Sequence, residues 1–208
     1  RLVRGEKIWH LLQRRVPNFT CANLFWWYNM ATDADIAITP RPLYYGDGRK
    51  VFDIHTQPMH LREEIKADLG DFPFPSFWGP MAGIDCSQWI ARAAQWVEQR
   101  QHPNLQLIYL PHLDYCLQQF GPDLQRVEPE LRAIDSLVGE LLQFFQQQNV
   151  RVLIVSEYGI CPVSRPIHIN RILRQAGLLS IKDEQGCDGL DPFMSCLLYT
   201  SPSPRDRG

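Results

Sequence analysis

Two apolar runs frame the most informative part of the chain, Leu105 to Leu110 and Val152 to Val155. Between them Leu131, Ile134, Leu137, Val138, Leu141, Leu142 and Phe145 recur at three- and four-residue steps, the period of a helix with one buried face. Pro129 fits the first turn of that helix, where its missing N–H costs nothing. The pattern from Leu105 to Gly159 is therefore strand, polar loop, helix, strand, polar loop. A strand–helix–parallel strand crossover is right-handed almost without exception. Its strands end on one edge of the sheet, and ligands of open α/β sheets bind outside that edge. Asp114 and Glu157, which follow the two runs, should then face a common crevice. The same spacing also admits two helix caps or two solvated loop charges.

The remaining pattern extends this α/β alternation. Ile8, Leu11, Leu12 and Val16 form one helical face, stopped by Pro17. Cys21 to Tyr28 reads as a buried strand that ends in the aromatics Phe25, Trp26, Trp27 and Tyr28, and Ala34 to Thr39 as a second strand. A hairpin is expected around Gly46-Asp47-Gly48. Met59 to Leu69 predicts a short helix closed by Gly70. Phe72 to Met81, broken by Pro73, Pro75, Gly79 and Pro80, is a loop, either a lid or a packed surface segment. Cys86 to Arg100 predicts a helix capped by Asp85 or Ser87, with Ile90, Ala93, Ala94 and Val97 inward. A last helix, Ile167 to Ala176, closes at Gly177 before a short strand, Leu178 to Ile181.

Composition narrows the function classes. With 45% hydrophobic and 21% charged residues, the 208-residue chain is that of a globular domain. A net charge of −2 and no basic, aromatic-interleaved stretch leave no nucleic-acid polymer footprint. No apolar run approaches the roughly 20 residues that span a bilayer, so no membrane partner is expected. Six scattered cysteines without a C-x-x-C pair read as core or loop thiols of a reducing compartment, which favours the cytoplasm. No Gly-rich phosphate loop, Ser-His-Asp constellation or H-E-x-x-H is present. Leu197 to Gly208 has no periodicity and two Ser-Pro pairs. It looks like the translated adapter read-through found in assembled metagenomic genes, so residues 1–196 are taken as a partial domain and 197–208 as a tail outside it. The opening Arg1-Leu2-Val3-Arg4 reads as the interior of a longer protein.

Several motifs in order carry a resemblance. Asp114 is followed at fixed spacing by Gly121-Pro122. Ala133-Ile134-Asp135-Ser136-Leu137-Val138-Gly139 lies in the helix, and Ser156-Glu157-Tyr158-Gly159 ends the second run. Asn170-Arg171-Ile172-Leu173-Arg174-Gln175-Ala176-Gly177-Leu178-Leu179 follows. Over residues 5 to 181, including Glu6-Lys7-Ile8-Trp9 and Phe25-Trp26-Trp27, the chain resembles the type I phosphodiesterase/nucleotide pyrophosphatase family of the alkaline phosphatase superfamily. That resemblance implies a three-layer sandwich with a mainly parallel central sheet, here incomplete. It implies hydrolysis of phosphodiester or pyrophosphate bonds in a small-molecule phosphate ester, assisted by two divalent metals, usually zinc.

By the same resemblance Asp114 and Gln118 would serve one metal, and Glu157 and Tyr158 the other. The family's early Asp, its Thr nucleophile and a late His have no counterpart here and would lie before Arg1 and after Cys196. The sequence departs from the family at three ligand positions. Gln118 stands for His, Glu157 for Asp and Tyr158 for His. His112, two residues before Asp114, would point the same way in extended backbone and compensate. This oxygen-rich set favours manganese, magnesium or calcium more than the usual one does. Trp26 and Trp27 are candidates to stack on substrate, or they belong to the core. Two alternatives stay open: a binding protein that keeps the fold without catalysis, and a relative acting on phosphonate or sulfate esters.

Overall fold

The computed structural model describes residues 5–47, 49–165 and 167–178. It divides into two compact units, Arg1–Ile160 and Cys161–Gly208. In the first, α1 (Ile8–Arg15) precedes β1 (Cys21–Leu24) and β2 (Ile36–Pro40). A hairpin of β3 (Leu43–Tyr44) and β4 (Lys50–Val51) follows, then β5 (Ile54–Gln57), α2 (Leu61–Leu69) and α3 (Ile84–Gln101). β6 (Leu105–Ile108), α4 (His112–Phe120) and α5 (Leu124–Gln147) complete it.

The sheet runs β5-β2-β1-β6. β1 is parallel to both β2 and β6, and β5 closes one side antiparallel to β2. β1 is buried along its whole length, as a near-continuous apolar run between parallel neighbours should be. The β6 side chains alternate across the sheet: Leu105 and Leu107 pack on the cluster of Trp9, Cys21 and Ala34, while Gln106 Nε2 donates to the Ala94 carbonyl of α3 at 3.0 Å. The expected α3 stripe is fully buried, with Trp89 added to it. Gly83, not Asp85 or Ser87, is the N-cap of α3.

Four expectations change. On α1 the buried residue is Trp9, and Ile8 is exposed, because the indole covers more apolar area than any aliphatic on the predicted face. Residues 72–81 are not a lid. Phe72, Phe74 and Phe77 are buried, and Phe72 and Phe77 meet the Phe25 ring at 4.8 and 5.7 Å. The polar loop expected after β6 contains α4, and α5 starts earlier than predicted, at an Asp123 cap that accepts from the Gln125 and Arg126 amides. Pro129 therefore lies inside α5 rather than in its first turn.

The fourth change concerns Val152 to Val155. This run pairs with no strand among the described residues, and its side chains are exposed, Leu153 at 85%. A run apolar on both faces needs a ladder partner and two covering layers to be a buried strand. The described residues supply neither. In the second unit, α6 (Ile169–Gln175) ends near Gly177, which takes φ 70° as a helix-terminating glycine does. The expected strand Leu178 to Ile181, the cysteines Cys187 and Cys196, and the tail 197–208 lie outside the described residues.

Candidate active site at the end of the parallel strands

The parallel strands deliver their ends to one edge. Past β6 the Tyr109 amide donates to the Leu24 carbonyl at 3.1 Å, which prolongs the β1–β6 alignment by one residue. Pro111 then caps α4, and Asp114 falls in its first turn, where the helix dipole favours a carboxylate. Gln118 is one turn on and on the same face. Its Nε2 donates to Asp114 Oδ2 at 2.9 Å, and the Tyr158 hydroxyl donates to Asp114 Oδ1 at 2.5 Å. Glu157 is held by another route: Trp27 Nε1 donates to its Oε2 at 3.3 Å. The Trp27 ring tilts against Tyr109, with centroids 6.1 Å apart.

Asp114, Trp27 and Tyr109 line a cavity of about 1000 Å³, and Gln118, Glu157 and Tyr158 bond to or lie near them outside its lining. Its walls include Trp26, Trp27, Tyr28, Trp78, Tyr109 and Tyr115, and Asp114 sits on its rim. The two carboxylates act on the same phenols. Burial raises the Tyr109 hydroxyl above its ordinary range, and Asp114, Glu157 and Tyr115 add to the effect. For Tyr158 the hydrogen bond to Asp114 is the largest cause of a strong upward shift, followed by burial and the charges of Asp114, Tyr109 and Glu157. Both phenols stay protonated at neutral pH, and Tyr158 donates its proton to Asp114.

Asp114, Gln118, Glu157, Tyr158 and Trp27 thus meet at one edge, while Trp26 lines the cavity and also packs against the core cluster of Trp9, Cys21 and Ala34. His112 does not join them. Residues two apart on a helix lie about 200° apart, so His112 faces α5 instead of following Asp114. Its imidazole is buried with Nε2 2.7 Å from Glu130 Oε2. The compensating-ligand reading failed because it assumed extended backbone where the chain forms α4. His55 lies on β5, where burial and Arg41 lower its basicity. His60 pairs weakly with Glu64 at 4.0 Å, and His168 belongs to the second unit. Tyr109 and Tyr115 escaped the sequence reading. Tyr109 was absorbed into an apolar run, although a phenol at the end of a parallel strand is a polar group on the ligand edge.

Among the described residues no three His, Cys, Asp or Glu side chains cluster as metal ligands would. The converging donors are two carboxylates, an amide and a phenol, all of them oxygen.

The sequence matches the model of the type I phosphodiesterase / nucleotide pyrophosphatase family over residues 1–206. The chain belongs to that family. An uncharacterized pyrophosphatase/phosphodiesterase of Schizosaccharomyces pombe is 29% identical over 79 residues, which are 35% of this chain and 16% of the relative. No solved structure matches. In this phosphodiesterase-family chain Asp114, Gly121-Pro122 and Glu157 follow one another in the family's order. No helix among the described residues is long and apolar enough to cross a membrane.

Proposed function

We propose that the protein to which this chain belongs hydrolyses phosphodiester or pyrophosphate bonds, with the reacting phosphoryl group at Asp114 and Glu157 and its organic substituent in the aromatic cavity. The observation that carries this reading is that Asp114, bonded to Tyr158, and Trp27, bonded to Glu157, both line that cavity with Tyr109, in a chain of this family. Trp26 and Trp27 would stack on a planar leaving group and keep water from it. The Tyr109 hydroxyl would donate to a phosphoryl oxygen, while the Tyr158 proton stays on its bond to Asp114. The attacking group is read as belonging to a segment outside the described residues, and the fold as an alkaline-phosphatase-like three-layer sandwich.

The donor set bears on the metal. Tetrahedral zinc sites draw on imidazole and thiolate, and neither is among the converging groups. Two carboxylates, an amide oxygen and a phenol suit a hard cation such as manganese or magnesium. Asp114 with the Gln118 amide oxygen would hold one such cation, and Glu157 with Tyr158 a second. Such a cation supplies charge neutralisation at the phosphoryl oxygens. A second reading rests on one observation: both Asp114 oxygens already accept hydrogen bonds from neutral side chains. A carboxylate so occupied suits a catalytically inactive binding protein that keeps the fold.

The full-length protein, stripped with chelator and given bis-p-nitrophenyl phosphate, separates the two. Turnover restored by manganese or magnesium more than by zinc supports hydrolysis. No turnover with any of them, together with no bound metal by elemental analysis, removes it and leaves the binding protein.

A further inference from the structure

The loop that carries the cavity's tryptophans is held in a costly shape. Phe25, Tyr28 and Ala31 have φ of 57°, 53° and 56°, in the left-handed region that residues with a Cβ rarely occupy. Three such residues within seven need something that over-determines them. The backbone supplies little: Phe25 N–H donates to the Ile38 carbonyl at 2.7 Å, and Thr32 N–H reaches the Asn29 carbonyl at 3.4 Å.

The Asn29 side chain supplies the rest. It is 3% exposed, and its Nδ2 donates to the Asn23 carbonyl at 2.8 Å and the Ile38 carbonyl at 3.0 Å. Asn23 belongs to β1 and Ile38 to β2, so one amide spans the last rungs of two parallel strands. Both of its hydrogens are used. Its Oδ1 is buried without a partner, a penalty a folded chain accepts where the donors are needed.

We propose that Asn29 is the positioning residue of the aromatic loop. It pins three left-handed residues to the sheet, and in doing so sets Trp27 against Tyr109 and within reach of Glu157. The chemistry of the role is specific. An aspartate of the same shape has no N–H to donate, and an alanine has neither donor nor reach. Asn29 itself touches neither carboxylate in the hydrogen bonds of the site. The inference stands apart from the proposed hydrolysis, because loop order is measurable on a protein that turns nothing over.

The test is hydrogen exchange on the full-length protein, comparing peptides over residues 25–31 with peptides over α3. Asn29→Asp and Asn29→Ala should raise exchange in 25–31 by roughly tenfold or more and leave α3 within about twofold. Adding Ala31→Gly, which relieves one left-handed residue, should restore much of the protection in both backgrounds. If the protein is active, KM for an aryl phosphodiester should rise while kcat changes little. Unchanged exchange in 25–31, or equal loss in α3 and 25–31, would overturn the positioning role, and so would the absence of rescue by Ala31→Gly. Should Asn29→Ala not fold, Asn29→Asp with Ala31→Gly carries the same comparison.

Discussion

Asp114 accepts a hydrogen bond at each carboxylate oxygen, from Gln118 and from Tyr158, and that pair of contacts decides how the site behaves with pH. The bond from Tyr158 favours the protonated phenol, and the Asp114 charge opposes ionisation further. Replacing Asp114 with Asn removes the charge, so Tyr158 should ionise closer to the ordinary tyrosine value of about 10. Ultraviolet titration near 295 nm of wild type, Asp114→Asn and Tyr158→Phe checks this. An identical titration of the first two would show that the contact does not form in solution. Asp114 was legible as a carboxylate at a strand end and Gln118 only through the family resemblance, and the helical face they share emerged with α4. His112 was misread because which residues share a face depends on the local backbone, and nothing in Pro111-His112-Leu113 announced a helix. The left-handed residues Phe25, Tyr28 and Ala31 were invisible for another reason. Each costs on the order of 1–3 kcal/mol locally, so no local preference points to them, and only tertiary contacts hold them.

Among the elements, α4 shows how a short helix is fixed at both ends of its role. Its outer face carries Asp114 and Gln118, and its first residue, His112, meets Glu130 of α5. His112→Ala should destabilise the fold by about 1–3 kcal/mol, since it leaves a cavity and the Glu130 carboxylate without its partner. Urea unfolding of the variant beside wild type measures it, and a loss near zero would mean that the helices are held by apolar packing alone. The aromatic segment after α2 is a second case. Phe74 is buried at 1% exposure and stacks on Phe52 at 4.5 Å. Phe74→Ala should cost roughly 3–5 kcal/mol in the same assay. Prolines and glycines made this segment look like a loop, but its backbone forms two short 3-10 helices, Phe74–Ser76 and Gly79–Met81, and its phenylalanines make it core. Val152 to Val155 is the opposite case. Its composition is that of a buried strand, but burial is a property of neighbours, and the described residues give it none.

At the scale of the molecule, a mainly parallel sheet and the α3 stripe followed from periodicity, whereas the crossover expected from β6 to residues 152–155 has no second strand among the described residues, and β6 pairs with β1 instead. Exact element ends, α4 and the convergence of tyrosines on the carboxylates did not follow from periodicity either, because they depend on which segments meet in space. One surface network gives the fold a pH signature of its own. Asp53 is nearly buried and lies against Arg62 and, at 3.4 Å, Lys66. Burial alone would raise its pKa, but the Arg62 bond, the Ile54 amide and the two cations outweigh it and hold the carboxyl below its usual range. A lowered folded pKa stabilises the protein above the unfolded value of about 3.9 and loses that contribution as pH falls through the folded value. Asp53→Asn should therefore cost on the order of 1 kcal/mol at neutral pH, after discounting for the exposure of Arg62, and flatten stability below pH 4. Urea midpoints at pH 7, 4 and 3 test the sign.

The central claim is that Asp114 and Glu157, 43 positions apart and held by different elements, serve one phosphoryl site. A double-mutant cycle on the full-length protein tests it most directly: kcat/KM for bis-p-nitrophenyl phosphate in wild type, Asp114→Asn, Glu157→Gln and the double variant. Each single change should lower kcat/KM by about a hundredfold or more, and the double variant should fall little below the weaker single one, as groups that act as a unit do. Losses that multiply, or a single variant that keeps wild-type turnover, would contradict a shared site.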